Sequence, residues 1–162
     1  MRSTVATAGR PHGPTGWPTT TAVRRSAWRA ALRAAGVEPG PVVAGDFTAA
    51  GGRRATQQLL EQDPRPTAIV YANDLMAIAG VAAASELGVA VPGDLSIVGH
   101  DDVSLAPFLT PPLTTGHQDV MALGAASART LLALVERNEP PVIDLEDPAL
   151  VVRASTGPPA AP

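Results

Sequence analysis

The stretch from residue 67 to residue 102 constrains the fold most. TAIVYA is apolar along almost its whole length, and Asn73-Asp74 follow it. LMAIAGVAAASELG is then an Ala-rich helix with a stopping Gly88, and LSIVG is a second apolar run. A strand apolar throughout, rather than at every second residue, is buried on both faces. Strands of that kind alternating with helices predict an α/β fold, a parallel sheet covered by helices on both sides.

The rest of the chain fits the same alternation. Residues 3–8 (STVATA) read as a short strand that runs into a Gly/Pro/Thr-rich loop to about Thr20. Residues 22–35 read as a helix, stopped by Gly36. Residues 42–47 (VVAGDF) read as a strand, and Thr48 is placed to cap a helix over 49–62, although Gly51-Gly52 weaken its first turn. Residues 122–137 are strongly helical, residues 149–155 (ALVVRAS) read as a last strand, and a disordered tail is expected over 157–162.

Composition excludes several classes. The chain has 162 residues and a net charge of −3, which argues against a broad phosphate-binding surface. It has no cysteine, so thiolate metal sites and Cys nucleophiles are out. No apolar run approaches the roughly 20 residues of a membrane span, and the first residues lack a sustained apolar signal segment. A cytoplasmic protein without membrane contact is expected.

In open parallel sheets, ligands bind beyond the carboxyl ends of the strands. Those ends carry Thr20 and then Arg24, Asp46-Phe47, Asn73-Asp74, and His100-Asp101-Asp102. Acceptors, a fork-shaped donor, an amide and an aromatic plate suit a polyhydroxylated or heterocyclic small molecule. Plainer roles compete. Asp74 reads first as a helix cap and Asp46 as a turn residue, while core for Phe47 and a solvated turn for the Asp101-Asp102 pair are the alternatives to a ligand role. His100 and His117 lack metal-ligand spacing, so no metal and no cofactor are expected. Adjacent acids at a strand end point apart and suit glycoside hydrolysis poorly. No GxSxG or GxxxxGK[ST] motif is present, and no enzyme activity is expected.

Five blocks, RRSAWRAALRAAGV, GDFTAAGG, PTAIVYANDLMAIAGVAAASELGVAVPGDLSIVGHDD, PPLTTGHQDVMALGAASARTLL and LVVRAST, occur in this order. Together they closely resemble the C-terminal half of the LacI/GalR (lactose repressor/galactose repressor) family of bacterial transcription regulators, over residues 4–156. The resemblance implies a Rossmann-like lobe of a type I periplasmic-binding-protein-like core over 1–120. It also implies a crossover helix over 121–140 that belongs to an otherwise missing first lobe, and a return segment with the last strand over 141–156. It implies a small-molecule effector such as a sugar or nucleobase, contacted by Thr20, Arg24, Phe47, Asn73, Asp101 and Gln118. It further implies a homodimer, and operator DNA bound only through a helix-turn-helix that this sequence does not contain. The chain departs from the family pattern at Ala27, where Gly is usual, at His100, where a bulky aromatic is usual, and at Val120, where some members carry an aromatic ligand contact. The rival readings are a sugar-binding protein of a transport system and a truncated product without independent activity. The apolar face of the 122–137 helix is expected to lie exposed or to find another partner.

Overall fold

The computed structural model describes residues 3–8, 20–137, 141–143 and 145–158. The loop over 9–19 and the tail from residue 159 lie outside the described residues. Among the described residues six strands form one sheet: β1 (Ser3–Ala8), β2 (Pro39–Gly45), β3 (Ala68–Tyr71), β4 (Ser96–His100), β5 (Thr114–His117) and β6 (Ala149–Val151). Among the described residues four α-helices accompany them, α1 (Thr20–Ala34), α2 (Ala49–Leu60), α3 (Asp74–Glu86) and α4 (Val120–Arg137), with one short 3-10 helix at Ala106–Phe108.

The strand order is β2-β1-β3-β4-β5-β6. β1 through β5 are parallel, and only β6 runs antiparallel, against β5. The parallel α/β sheet expected from the apolar strands is therefore present, with one reversed strand at its edge. Right-handed crossovers put the helix that leads to β2 on one face and the helices that lead to β3 and β4 on the other. In keeping with this, α2 and α3 pack on each other while α1 touches β1 and β2. The core between sheet and helices holds Leu59, Ile69, Tyr71, Met76, Leu95, Ile97 and Leu113.

Three local expectations change. The second strand ends at Gly45 instead of running through Phe47, because Phe47 takes a φ of 62° that no strand accommodates. β5 is a strand that the sequence pattern does not show, since Thr114-Thr115-Gly116-His117 is short and has no apolar run. The last strand stops at Val151, and Ser155 instead fastens the chain across β4 and β5. Its Oγ donates to the Ile97 carbonyl (2.6 Å) and accepts from the Thr114 N–H (2.8 Å). Gly157, at the start of the expected disordered tail, is held in place: its N–H donates to Ser96 Oγ at 3.2 Å.

Candidate effector cleft

The order β2-β1-β3-β4-β5 reverses direction beside β1. In doubly wound sheets such a switch point opens a crevice outside the carboxyl ends of the strands, here those of β1 and β3. The helix after β1 and the turn after β3 flank that crevice. Arg24 lies in the first and Asn73 in the second.

Arg24 Nη1 donates to the Ala72 carbonyl at 3.0 Å, which ties α1 to the end of β3. Asn73 Nδ2 donates to the Phe47 carbonyl at 3.0 Å and so links the turns after β2 and β3. Its Oδ1 accepts from the Met76 N–H at 2.9 Å, which makes Asn73 the cap of α3. Phe47 stands beside this link, 41% exposed. Thr20 is the first residue of α1, at the same end of the sheet.

The cap expected at Asp74 is therefore at Asn73, and Asp74 does something else. It is fully buried; Oδ1 accepts from Thr115 Oγ1 at 2.6 Å and Oδ2 from the Val103 N–H at 2.9 Å. Gly99 makes room for it, since a Cβ there would lie 2.0 Å from Asp74 Oδ1. Asp46 is a turn residue, as one reading had it. It accepts from the Thr48 N–H and hydroxyl and from Arg54. The Thr48 hydroxyl above all, with the Thr48 N–H, holds the Asp46 carboxyl below its ordinary range. Thr48 caps α2 as expected, accepting from the Gly51 N–H at 2.9 Å.

The paired acids after β4 separate in role. Asp101 has a φ of 116°, and its side chain is 52% exposed on the rim, with Oδ1 3.1 Å from His100 Nδ1. Asp102 has a φ of 50° and turns inward, its side chain 17% exposed. Its Oδ1 accepts from Arg153 Nη2 at 2.7 Å, and its Oδ2 lies 3.1 Å from His117 Nδ1. Gln118, one residue beyond β5, lines a hollow of about 220 Å³ with Ala122, Leu123, Leu145 and Glu146. Val120 is the first residue of α4 and is exposed.

Arg24, Phe47 and Asn73 thus form one linked group, Asp101 stands at the end of β4 two strands from β1, and Gln118 stands at the end of β5. Sequence reasoning assigned no role to Thr115 or Arg153, and it gave Asp74 a helix-cap role that Asn73 fills instead. The signal for Arg153 was a lone arginine inside an otherwise apolar strand pattern, LVVRAS. Among the described residues, no group of three or more His, Asp or Glu side chains is arranged to hold a metal ion.

A family model described as a periplasmic binding protein-like domain matches residues 3–156. The chain belongs to that family. Within it, the chain is an effector-binding core of the LacI/GalR type. It is 42% identical over 116 residues to the HTH-type transcriptional repressor PurR of Escherichia coli O1:K1, covering 70% of this chain and 34% of that one. A complex of the transcriptional regulator CelR with cellobiose matches with a TM-score of 0.80 at 33% identity, over 93% of this chain and 46% of that one. The Lac repressor dimer bound to operator and the anti-inducer ONPF matches with a TM-score of 0.79 at 32% identity, over 95% of this chain and 52% of that one. The chain spans about a third of the length of the curated relatives it matches and about half that of the solved ones. Among the described residues, no helix is long and apolar enough to cross a membrane.

Proposed function

We propose that this chain is the small-molecule-binding part of a LacI-type transcriptional repressor, with the effector held at the switch-point crevice. One observation carries the site: Asp101 follows the carboxyl end of β4, on the edge of the sheet where the crevice opens, half exposed, with Oδ2 engaged by no donor among the described residues, in a chain of this family. The ligand class is a sugar or a related polyhydroxylated molecule. A carboxylate accepts from hydroxyls, and the half-exposed Phe47 ring offers a plate for the apolar face of a pyranose. Thr20, Arg24, Asn73 and Gln118 complete the contact set. The relative CelR, bound to cellobiose, supports a sugar.

An effector that prefers one arrangement of two lobes shifts the equilibrium between them and, by linkage, the affinity for operator DNA. DNA contact belongs to a helix-turn-helix outside these 162 residues, and the protein works in the cytoplasm, without enzymatic activity. The α4 helix serves a first lobe in this reading. Its exposed face, with Met121, Leu131, Leu132 and Val135, supports that.

Asp101→Ala is the test that removes the fewest side-chain contacts. Arg24→Ala and Asn73→Ala also remove a backbone tie and a helix cap, whereas among the described residues the Asp101 side chain bonds only His100. Calorimetry with a panel of mono- and disaccharides, cellobiose among them, is expected to find a binder. Asp101→Ala is expected to weaken it by about 1–3 kcal/mol, roughly five- to 150-fold. A panel without a binder, or equal affinity in the variant, would overturn the assignment.

A homodimer is proposed through Leu105 and Phe108, which are 52% and 80% exposed. The related Lac repressor is a dimer. Sedimentation should give a dimer that Phe108→Glu converts to a monomer; a wild-type monomer at micromolar concentration would count against it.

A further inference from the structure

We propose that Arg153 and Asp102 are positioning residues for the cleft acid: they hold a left-handed two-residue turn that presents the Asp101 carboxylate to the crevice. Asp101 and Asp102 have φ values of 116° and 50°, and neither is glycine. Consecutive non-glycine residues with positive φ are unfavourable for the isolated chain and persist only where the surroundings over-determine them.

The surroundings do so here from three sides. The Asp101 N–H donates to the Gly116 carbonyl at 2.9 Å, which anchors the turn to β5. The Val103 N–H donates to the buried Asp74, which anchors its exit. Between these anchors the Asp102 carboxylate is gripped by Arg153, whose other terminal nitrogen donates to the Leu113 carbonyl at 2.8 Å. Arg153 itself is fixed, because its N–H donates to Thr114 Oγ1 at 2.9 Å. A planar guanidinium reaches a carboxylate and a carbonyl at once, and a lysine ammonium does not match that fork. With Asp102 turned in, the adjacent Asp101 side chain is left facing out. The inward acid sets the direction of the outward one.

The importance of this turn for binding rests on the effector reading of Asp101, but the turn can be read directly. Amide hydrogen exchange measured by NMR on the full chain compares wild type with Arg153→Gln, Arg153→Lys and Asp102→Asn. Asparagine tolerates the left-handed region and keeps the shape, so Asp102→Asn removes the charge and turns one of the two acceptor oxygens into an NH2 donor. The Asp101 and Val103 amides are expected to exchange at least tenfold faster in Arg153→Gln and Asp102→Asn, with the core amides of Ile69 and Ile97 unchanged. Arg153→Lys should recover part of the protection. Unchanged protection at 101–103 in a folded variant would overturn the proposal. If Arg153→Gln fails to fold, Asp102→Asn, which keeps the Arg153–Leu113 bond, decides. The sugar calorimetry separates the two ideas. A loosened turn in a chain that binds no sugar keeps the positioning role and removes the effector role, and a firm turn in a sugar-binding chain does the reverse.

Discussion

Gly52→Ala is a substitution whose sign can be worked from the structure. In an ordinary helix interior, alanine stabilises over glycine by about 1 kcal/mol. Gly52 lies in α2 where that helix presses on α3, and a Cβ there would sit 2.5 Å from the Met76 carbonyl oxygen and 2.6 Å from Met76 Cα. Carbon atoms prefer about 3.5–4.0 Å, so α2 and α3 would have to part by about 1 Å. The obstructing atoms are backbone, and no side-chain rotation relieves them. Overpacking of this kind costs about 1–3 kcal/mol and occasionally more. Because the whole helix must move, the upper end applies, and the net loss after the propensity gain is about 2 kcal/mol. In a chain of this size that lowers Tm by about 4–8 °C. Gly124 is the control: it lies in α4, and beyond its own helix no atom of the described residues comes within 4 Å of the added Cβ, so Gly124→Ala should raise Tm by a few degrees. Thermal melts followed by circular dichroism measure both. A Gly52→Ala protein as stable as wild type, or more so, would refute the close approach of the two helices.

Thr115→Val keeps shape but takes from the buried Asp74 carboxylate its 2.6 Å hydroxyl donor, which should cost about 2–3 kcal/mol. Urea unfolding should show the lower midpoint with an unchanged slope, and an unchanged midpoint would contradict the contact. Tyr71 is the only tyrosine, and burial pushes its hydroxyl up to about 12. An unfolded tyrosine titrates near 10. The folded state therefore favours the neutral phenol, and the associated stability is fully present below about pH 10 and lost as pH rises towards about 12. Ultraviolet titration reads this residue alone, and a midpoint near 10 in protein still folded would refute its burial beside Thr56.

Much of the architecture was legible because it rests on local pattern. TAIVYA and LSIVG have no polar alternation, and only a strand covered on both faces tolerates that. The Gly51-Gly52 pair was legible as a weakness in α2 but not as a fit. Only the structure shows a Cβ at Gly51 colliding with Asp46 and one at Gly52 colliding with Met76. β5 was hidden because Thr114-Thr115-Gly116-His117 owes its pairing to β4 and β6, not to its own hydropathy.

The same division runs through the site. Its location at the carboxyl ends of the strands followed from sequence order, since each apolar run ends in polar residues and a parallel sheet gathers those ends on one rim. The division of labour among the acids did not. Asp74, Asp101 and Asp102 are the same residue type in similar local settings, and nothing within a few positions separates them. Thr115 and Val103 reach Asp74 from 41 and 29 residues away, and Arg153 reaches Asp102 from 51 away. Local pattern determined which segments become strands and helices, and so which polar residues share an edge. Which acid is buried, which is gripped and which faces the crevice depends on donors brought from distant segments, and that only the tertiary structure decided.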